Sequence, residues 1–175
     1  MKAQKHKRAA ALAATALLAS TLLAGCGSAG AAADAGTAGT ATEAASAAID
    51  PAGVAADLVA SGAYSGTMTQ LDNSLIPSIY GISEDSYTDA VVYVGDGTTT
   101  ETAAVFTTAD ADAAKSLADE LTSWVSDQIE TYQDYDPDEV TKLQAATVKA
   151  SGVYVLCCVP SDADAAASVI DSEFR

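Results

Sequence analysis

The chain has 175 residues, room for one ordinary domain, and its 49% hydrophobic content overstates the core because 20 of its 40 alanines fall within the first 48 positions. Twenty-four acids against eight Lys and Arg give a net charge of −16, and four of those cations, Lys2, Lys5, Lys7 and Arg8, crowd the start of the chain. The remainder has no basic patch to neutralise phosphates, which excludes nucleic acid and argues against electrostatic attachment to anionic lipid or wall polymers.

Read in chain order, the basic start is followed by an apolar run from Ala9 to Leu23. That is the charge and apolar order of a secretory signal, and the run is short of the roughly 20 residues of a spanning helix. Leu23-Ala24-Gly25-Cys26 closes it and resembles the lipobox of bacterial lipoproteins. The resemblance implies a diacylglyceryl group on the Cys26 thiol and cleavage between Gly25 and Cys26. Residues 1–25 are therefore expected to be a signal peptide, and the lipid places the protein on the extracytoplasmic face of the bacterial cell membrane. Two acyl chains meet the physical requirement for stable anchoring. After cleavage, Lys115, Lys142, Lys149 and Arg175 face 24 acids, four against 24, for a net charge of −20. Residues 26–48 are almost entirely Gly, Ala, Ser and Thr, with Asp34 and Glu43 the charged exceptions. They have little to bury and read as a flexible tether with a root-mean-square reach of roughly 25 Å.

Residues 49–175 suffice for a single core without disulfide staples. Asp50-Pro51, a capping residue followed by proline at the first helical position, predicts a helix start, with Val54, Leu58 and Val59 as its stripe and an end near Gly62. Met68, Leu71, Leu75, Ile76 and Ile79 repeat at helical spacing, predicting a second helix that Pro77 kinks or ends. Ala90–Val94 and Thr102–Thr107 flank Gly95-Asp96-Gly97 and predict a hairpin. From Asp110 a helical face runs through Ala114, Leu117, Leu121, Trp124, Val125, Ile129 and Tyr132. Asp136-Pro137-Asp138-Glu139 starts another helix, close to a capping box, with Val140 and Leu143 inward. Thr147–Ala150 and Val153–Val159 form a second hairpin around Ser151-Gly152, and Ser161 to Asp164 cap a last helix through Val169 and Ile170. The order ααββααββα predicts an α+β domain: an antiparallel sheet of two hairpins packed against helices.

Ile79-Tyr80-Gly81-Ile82, Glu101 to Phe106, and Tyr135-Asp136-Pro137-Asp138-Glu139-Val140 followed by Lys142-Leu143 occur in that order. Behind a lipobox and tether, they resemble the uncharacterised bacterial lipoproteins grouped as domain of unknown function 4358, over roughly residues 52–172. A basic residue is common in the long central helix of that family; here the middle and end of the helix carry Trp124 and Ser126. The resemblance implies a membrane address and no established reaction.

The sole histidine, His6, lies in the expected signal, so the mature chain offers no Ser-His or Cys-His pair and no histidine metal site. Asp134, Asp136 and Asp138 alternate like a calcium loop, but Glu139 replaces the glycine and Ala145 the closing acid, so turn and capping roles are expected. Cys157 and Cys158 should point to opposite faces of a strand as small buried thiols, with their redox state left open. Trp124 and Tyr132 fit an inward stripe better than a groove. Glu101, Tyr135 and Glu139 are the candidate ligand or partner contacts, with an exposed strand-end acid as the plainer reading of Glu101. No cofactor or metal is expected. The functional expectation is a lipid-anchored envelope protein that binds a protein partner or small ligand without catalysis. The alternatives are a carboxylate-dependent envelope hydrolase and a weak cation-binding module.

Overall fold

The computed structural model describes residues 48–175; the expected signal, Gly25, Cys26 and nearly all of the tether lie outside them. Helix α1 (Pro51–Ala60) starts with proline in its first turn, where a missing N–H costs nothing. Asp50 makes no side-chain cap, contrary to the expected capping role. The side chain of Asp50 instead lies over Gly53, where an added Cβ would meet its Oδ2 at 2.8 Å.

The expected second helix is replaced by three short pieces. Strand β1 (Thr69–Gln70) pairs with the end of β2, a 3-10 turn spans Asn73–Leu75, and α2 covers only Ile76–Tyr80. Pro77 sits in the first turn of α2, so it starts the helix where a kink or stop was expected. Gly81 closes it in the left-handed conformation at φ 66°.

Strands β2 (Asp89–Val94) and β3 (Thr102–Thr107) form the first hairpin, with Val94 opposite Thr102. Helix α3 (Ala111–Tyr132) is capped by Asp110, whose carboxylate accepts from the N–H groups of Asp112 and Ala113. Helix α4 (Pro137–Gln144) is capped by Asp136. Strands β4 (Thr147–Ser151) and β5 (Tyr154–Val159) pair with Ser151 opposite Tyr154. The turn residues are thus Gly152 and Val153, one position later than predicted, and Gly152 supplies the positive φ of 57°. Helix α5 (Ala163–Glu173) is capped by Asp162.

The five strands form one antiparallel sheet in the order β1-β2-β3-β5-β4. Strands β3 and β5 are its centre and are buried on both faces, which is why their sequences are nearly continuous apolar runs without polar alternation. Ala104, Phe106, Val155, Cys157 and Val159 face a core shared with α2, α3 and α4. Ala103, Val105, Leu156 and Cys158 face a second core under α1 and α5. The α+β class and the sheet of two hairpins covered by helices are as predicted, with β1 added at one edge. Among the described residues no helix is long and apolar enough to cross a membrane.

Candidate functional site

Glu101 ends the loop between β2 and β3, whose neck is closed by the Gly95 N–H donating to the Glu101 carbonyl at 3.1 Å. A Cβ at Gly95 would come within 2.3 Å of Thr99 Cγ2, so any larger residue there would have to displace the Thr99 side chain. This places Glu101 at the rim of the central strand, beneath the segment leading to β1 and the loop between β5 and α5. Ser161 and Asp162 N–H groups both donate to the Ala63 carbonyl, at 2.8 and 3.0 Å, and tie those two segments together.

The Glu101 side chain is 1% exposed, so the expectation of an exposed strand-end acid is overturned. Its Oε1 accepts from the Ser65 N–H and hydroxyl, each at 2.8 Å, and from the Ser161 hydroxyl. Lys142 Nζ stands 4.0 Å from the same oxygen. Oε2 is buried with no hydrogen-bond partner among the described residues. It lies 3.9 Å from where a Cβ on Gly66 would stand, so a side chain there would pack directly against the unpartnered oxygen.

Glu139 is 5% exposed and faces the same lysine. Its Oε2 accepts from Thr100 N–H at 2.6 Å, Thr100 Oγ1 at 2.7 Å and Thr99 Oγ1 at 3.1 Å. Its Oε1 accepts from Lys142 Nζ at 2.7 Å, and Lys142 also donates to Thr99 Oγ1 at 2.9 Å. The capping box is therefore half-formed. Asp136 accepts from the Glu139 N–H at 3.3 Å, but the Glu139 carboxylate turns away from the helix start to bind the β2–β3 loop.

Burial alone would raise the pKa of Glu101, but the Ser161 and Ser65 hydrogen bonds, with Lys142, outweigh it and hold the carboxyl below its ordinary value. Glu139 follows the same logic: burial raises it, while Lys142, Thr100 and Thr99 bring the net shift down. Both acids are thus ionised at neutral pH, and neither has the raised pKa a general acid requires.

The structure joins two of the three candidate contacts. Tyr135 instead stands 65% exposed with its ring 5.1 Å from Tyr132, at the end of α3. Lys142, Ser65, Ser161, Thr99 and Thr100 complete the site; the sequence placed Lys142 in the family motif and Ser161 in a helix cap, but none of the five as a site residue. Glu139 and Lys142 carried a readable signal, a charge pair three residues apart on a helix. The two serines, 96 positions apart, carried none.

Cys157 and Cys158 are free, buried and split between the two cores, as a strand requires. Burial pushes the Cys157 thiol up to about 12, and burial likewise raises Cys158 to about 11. The Tyr64 hydroxyl lies 3.2 Å from Cys158 Sγ and donates to the Thr102 carbonyl at 3.2 Å. Such shielded, protonated thiols are poor nucleophiles. Trp124 packs against the first core but only partly, with Nε1 donating to the Ile79 carbonyl at 2.9 Å. Among the described residues no group of three or more His, Cys, Asp or Glu is placed to hold a metal ion.

Fold and site together define a small α+β domain with a buried Glu–Lys–Glu cluster that knits three loops and a helix at one end of the sheet. Residues 60–160 match the family model described as Domain of unknown function (DUF4358), and the chain belongs to that family. No curated protein and no solved structure matches the chain.

Proposed function

We propose that this protein is a lipid-anchored bacterial envelope lipoprotein whose domain binds an envelope protein or small ligand without catalysing a reaction. The address rests on the basic start, the apolar run and Leu23-Ala24-Gly25-Cys26. The observation that carries binding over catalysis is the state of Glu101. Its carboxylate is held ionised, Oε1 is saturated by the Ser65 and Ser161 donors, and Oε2 is a buried acceptor with no partner among the described residues. An ionised acceptor of this kind has room for one further hydrogen-bond donor but cannot deliver a proton to a leaving group. The hydrolase alternative needs two carboxyls with pKa values pushed apart, whereas Glu101 and Glu139 are both lowered.

The lipid is tested by growing cells that express the full chain with an alkyne-bearing fatty acid. The wild-type chain should incorporate the label and Cys26→Ala should not. An unlabelled wild-type chain, or equal labelling of the variant, overturns the anchor.

A further inference from the structure

A second surface lies away from the Glu101 cluster, where α3 runs beside the turn that follows α2. Glu120, Ser123, Trp124 and Asp127 are spaced three, four and seven residues apart, which puts them on one face of α3 across about 10 Å of helix. With Ile79 and Gly81 they line a groove of about 420 Å³. Its aromatic wall is fixed in place. The Trp124 N–H is committed to the Ile79 carbonyl, and the Tyr80 ring packs against the indole at 4.7 Å between centroids, tilted by 48°.

Two features give the groove a chemical preference. Glu120 and Asp127 flank Trp124 along the helix, both exposed, and among the described residues neither is paired with a Lys or Arg. A cation between them would meet two carboxylates and the ring of a tryptophan, the side chain that holds cations best through its π-electrons. Beside the groove, Leu75 and Ile79 are 48% and 41% exposed, and they lie four residues apart, at the end of the 3-10 turn and within α2. A lone small cation would leave this apolar shoulder uncovered, whereas a peptide with apolar residues next to its basic one would cover both.

We propose that this groove docks a basic segment of an envelope protein, with an Arg or Lys side chain over Trp124 between Glu120 and Asp127 and flanking apolar side chains on Ile79 and Leu75. The proposal rests on the binding reading given above and adds the site and the class of partner. Arg suits the site better than Lys, since its planar guanidinium stacks on the indole while its N–H groups reach the carboxylates. The acidity of the whole chain steers such a segment toward the surface, and the groove offers it an aromatic seat.

Trp124 is the protein's sole tryptophan and reports occupancy directly. The full chain, held in nanodiscs of neutral lipid, is titrated with an acetylated Leu-Arg-Ile-Lys amide and with the same peptide carrying citrulline and norleucine in place of Arg and Lys. The basic peptide should shift the Trp124 emission saturably and the neutral analogue should not. Glu120→Gln/Asp127→Asn should weaken binding by about tenfold or more. Asp164→Asn/Asp171→Asn removes the same charge from α5, on the other face of the sheet, and should leave binding within about twofold.

No saturable shift up to millimolar peptide overturns the proposal, as does equal weakening by the two double variants, which would mean general attraction to an acidic surface. Methylguanidinium binding as tightly as the peptide would overturn the peptide partner in favour of a small cation. Fatty-acid labelling is read on the same chain. A labelled chain that ignores the peptide fails only the groove, and a chain that binds the peptide without label fails only the anchor.

Discussion

Replacing Lys142 by methionine is expected to lower the unfolding free energy by about 3 kcal/mol, the low end of the usual cost of removing one partner from a buried ion pair. The low end applies because the lysine side chain retains 19% exposure. Without it Glu139 loses its donor at 2.7 Å, Thr99 loses one at 2.9 Å, and Glu101 loses its one nearby positive charge. Chemical denaturation should show Lys142→Met as more destabilised than Lys142→Met/Glu139→Gln, in which the stranded charge is also removed. The pH dependence follows with its sign. Glu101 and Glu139 have folded pKa values below their unfolded ones, so the stability they contribute is full above the unfolded value of about 4.3 and is lost as pH falls through the folded values. Removing Lys142 raises those folded values, so acid unfolding of the single variant should begin at higher pH. A loss under about 0.5 kcal/mol, the range of ordinary surface substitutions, would mean the cluster is no structural tie.

Phe106→Ala should cost about 3–5 kcal/mol, the range for emptying a buried aromatic site, and lower the melting temperature by more than about 10 °C. Phe106 is fully buried near the end of β3, the middle strand of the sheet. Tyr80 meets it edge-on at 6.2 Å and 85°, and Tyr87 at 5.5 Å and 64°, so truncation also removes two aromatic contacts. Those tyrosines come from α2 and from the segment before β2, which gives the site little freedom to collapse. Phe106→Leu keeps most of the volume and should cost less than half as much. A loss below about 1 kcal/mol for the alanine variant would contradict the placement of this core.

The two hairpins were legible as apolar, β-branched runs on either side of glycine turns, and α3 as a long stripe of helical period. Asp110, Asp136 and Asp162 marked helix starts by the carboxylates that do accept the first N–H groups. The segment from Met68 to Ile79 misled because its helical spacing joins residues that serve different faces. Met68 packs toward the core under α1 and α5, while Leu71 and Ile76 belong to the opposite one. A periodicity count cannot separate a helix stripe from a strand end and a short helix whose apolar residues happen to share that spacing.

The site was legible in part. Glu101 and Glu139 stood out as acids beside a glycine-rich turn and in a first helical turn, but their burial follows from donors 36 to 60 residues away from Glu101 and 39 to 40 away from Glu139. The sheet order brings those donors together, and no local pattern announces them. The groove was passed over for a related reason: Trp124 lies on the inward stripe of α3, and only the placement of Ile79 beside it shows that its outer edge lines a surface cleft.

The central claim is that a folded binding domain is carried on a lipid attached at Cys26. Intact-mass measurement of the full chain extracted from membranes tests it most directly. The account predicts a chain that begins at Cys26 and carries the added mass of a diacylglyceryl group, with or without a further acyl chain on its amine. A chain beginning at any other residue, or one beginning at Cys26 with an unmodified thiol, would contradict it.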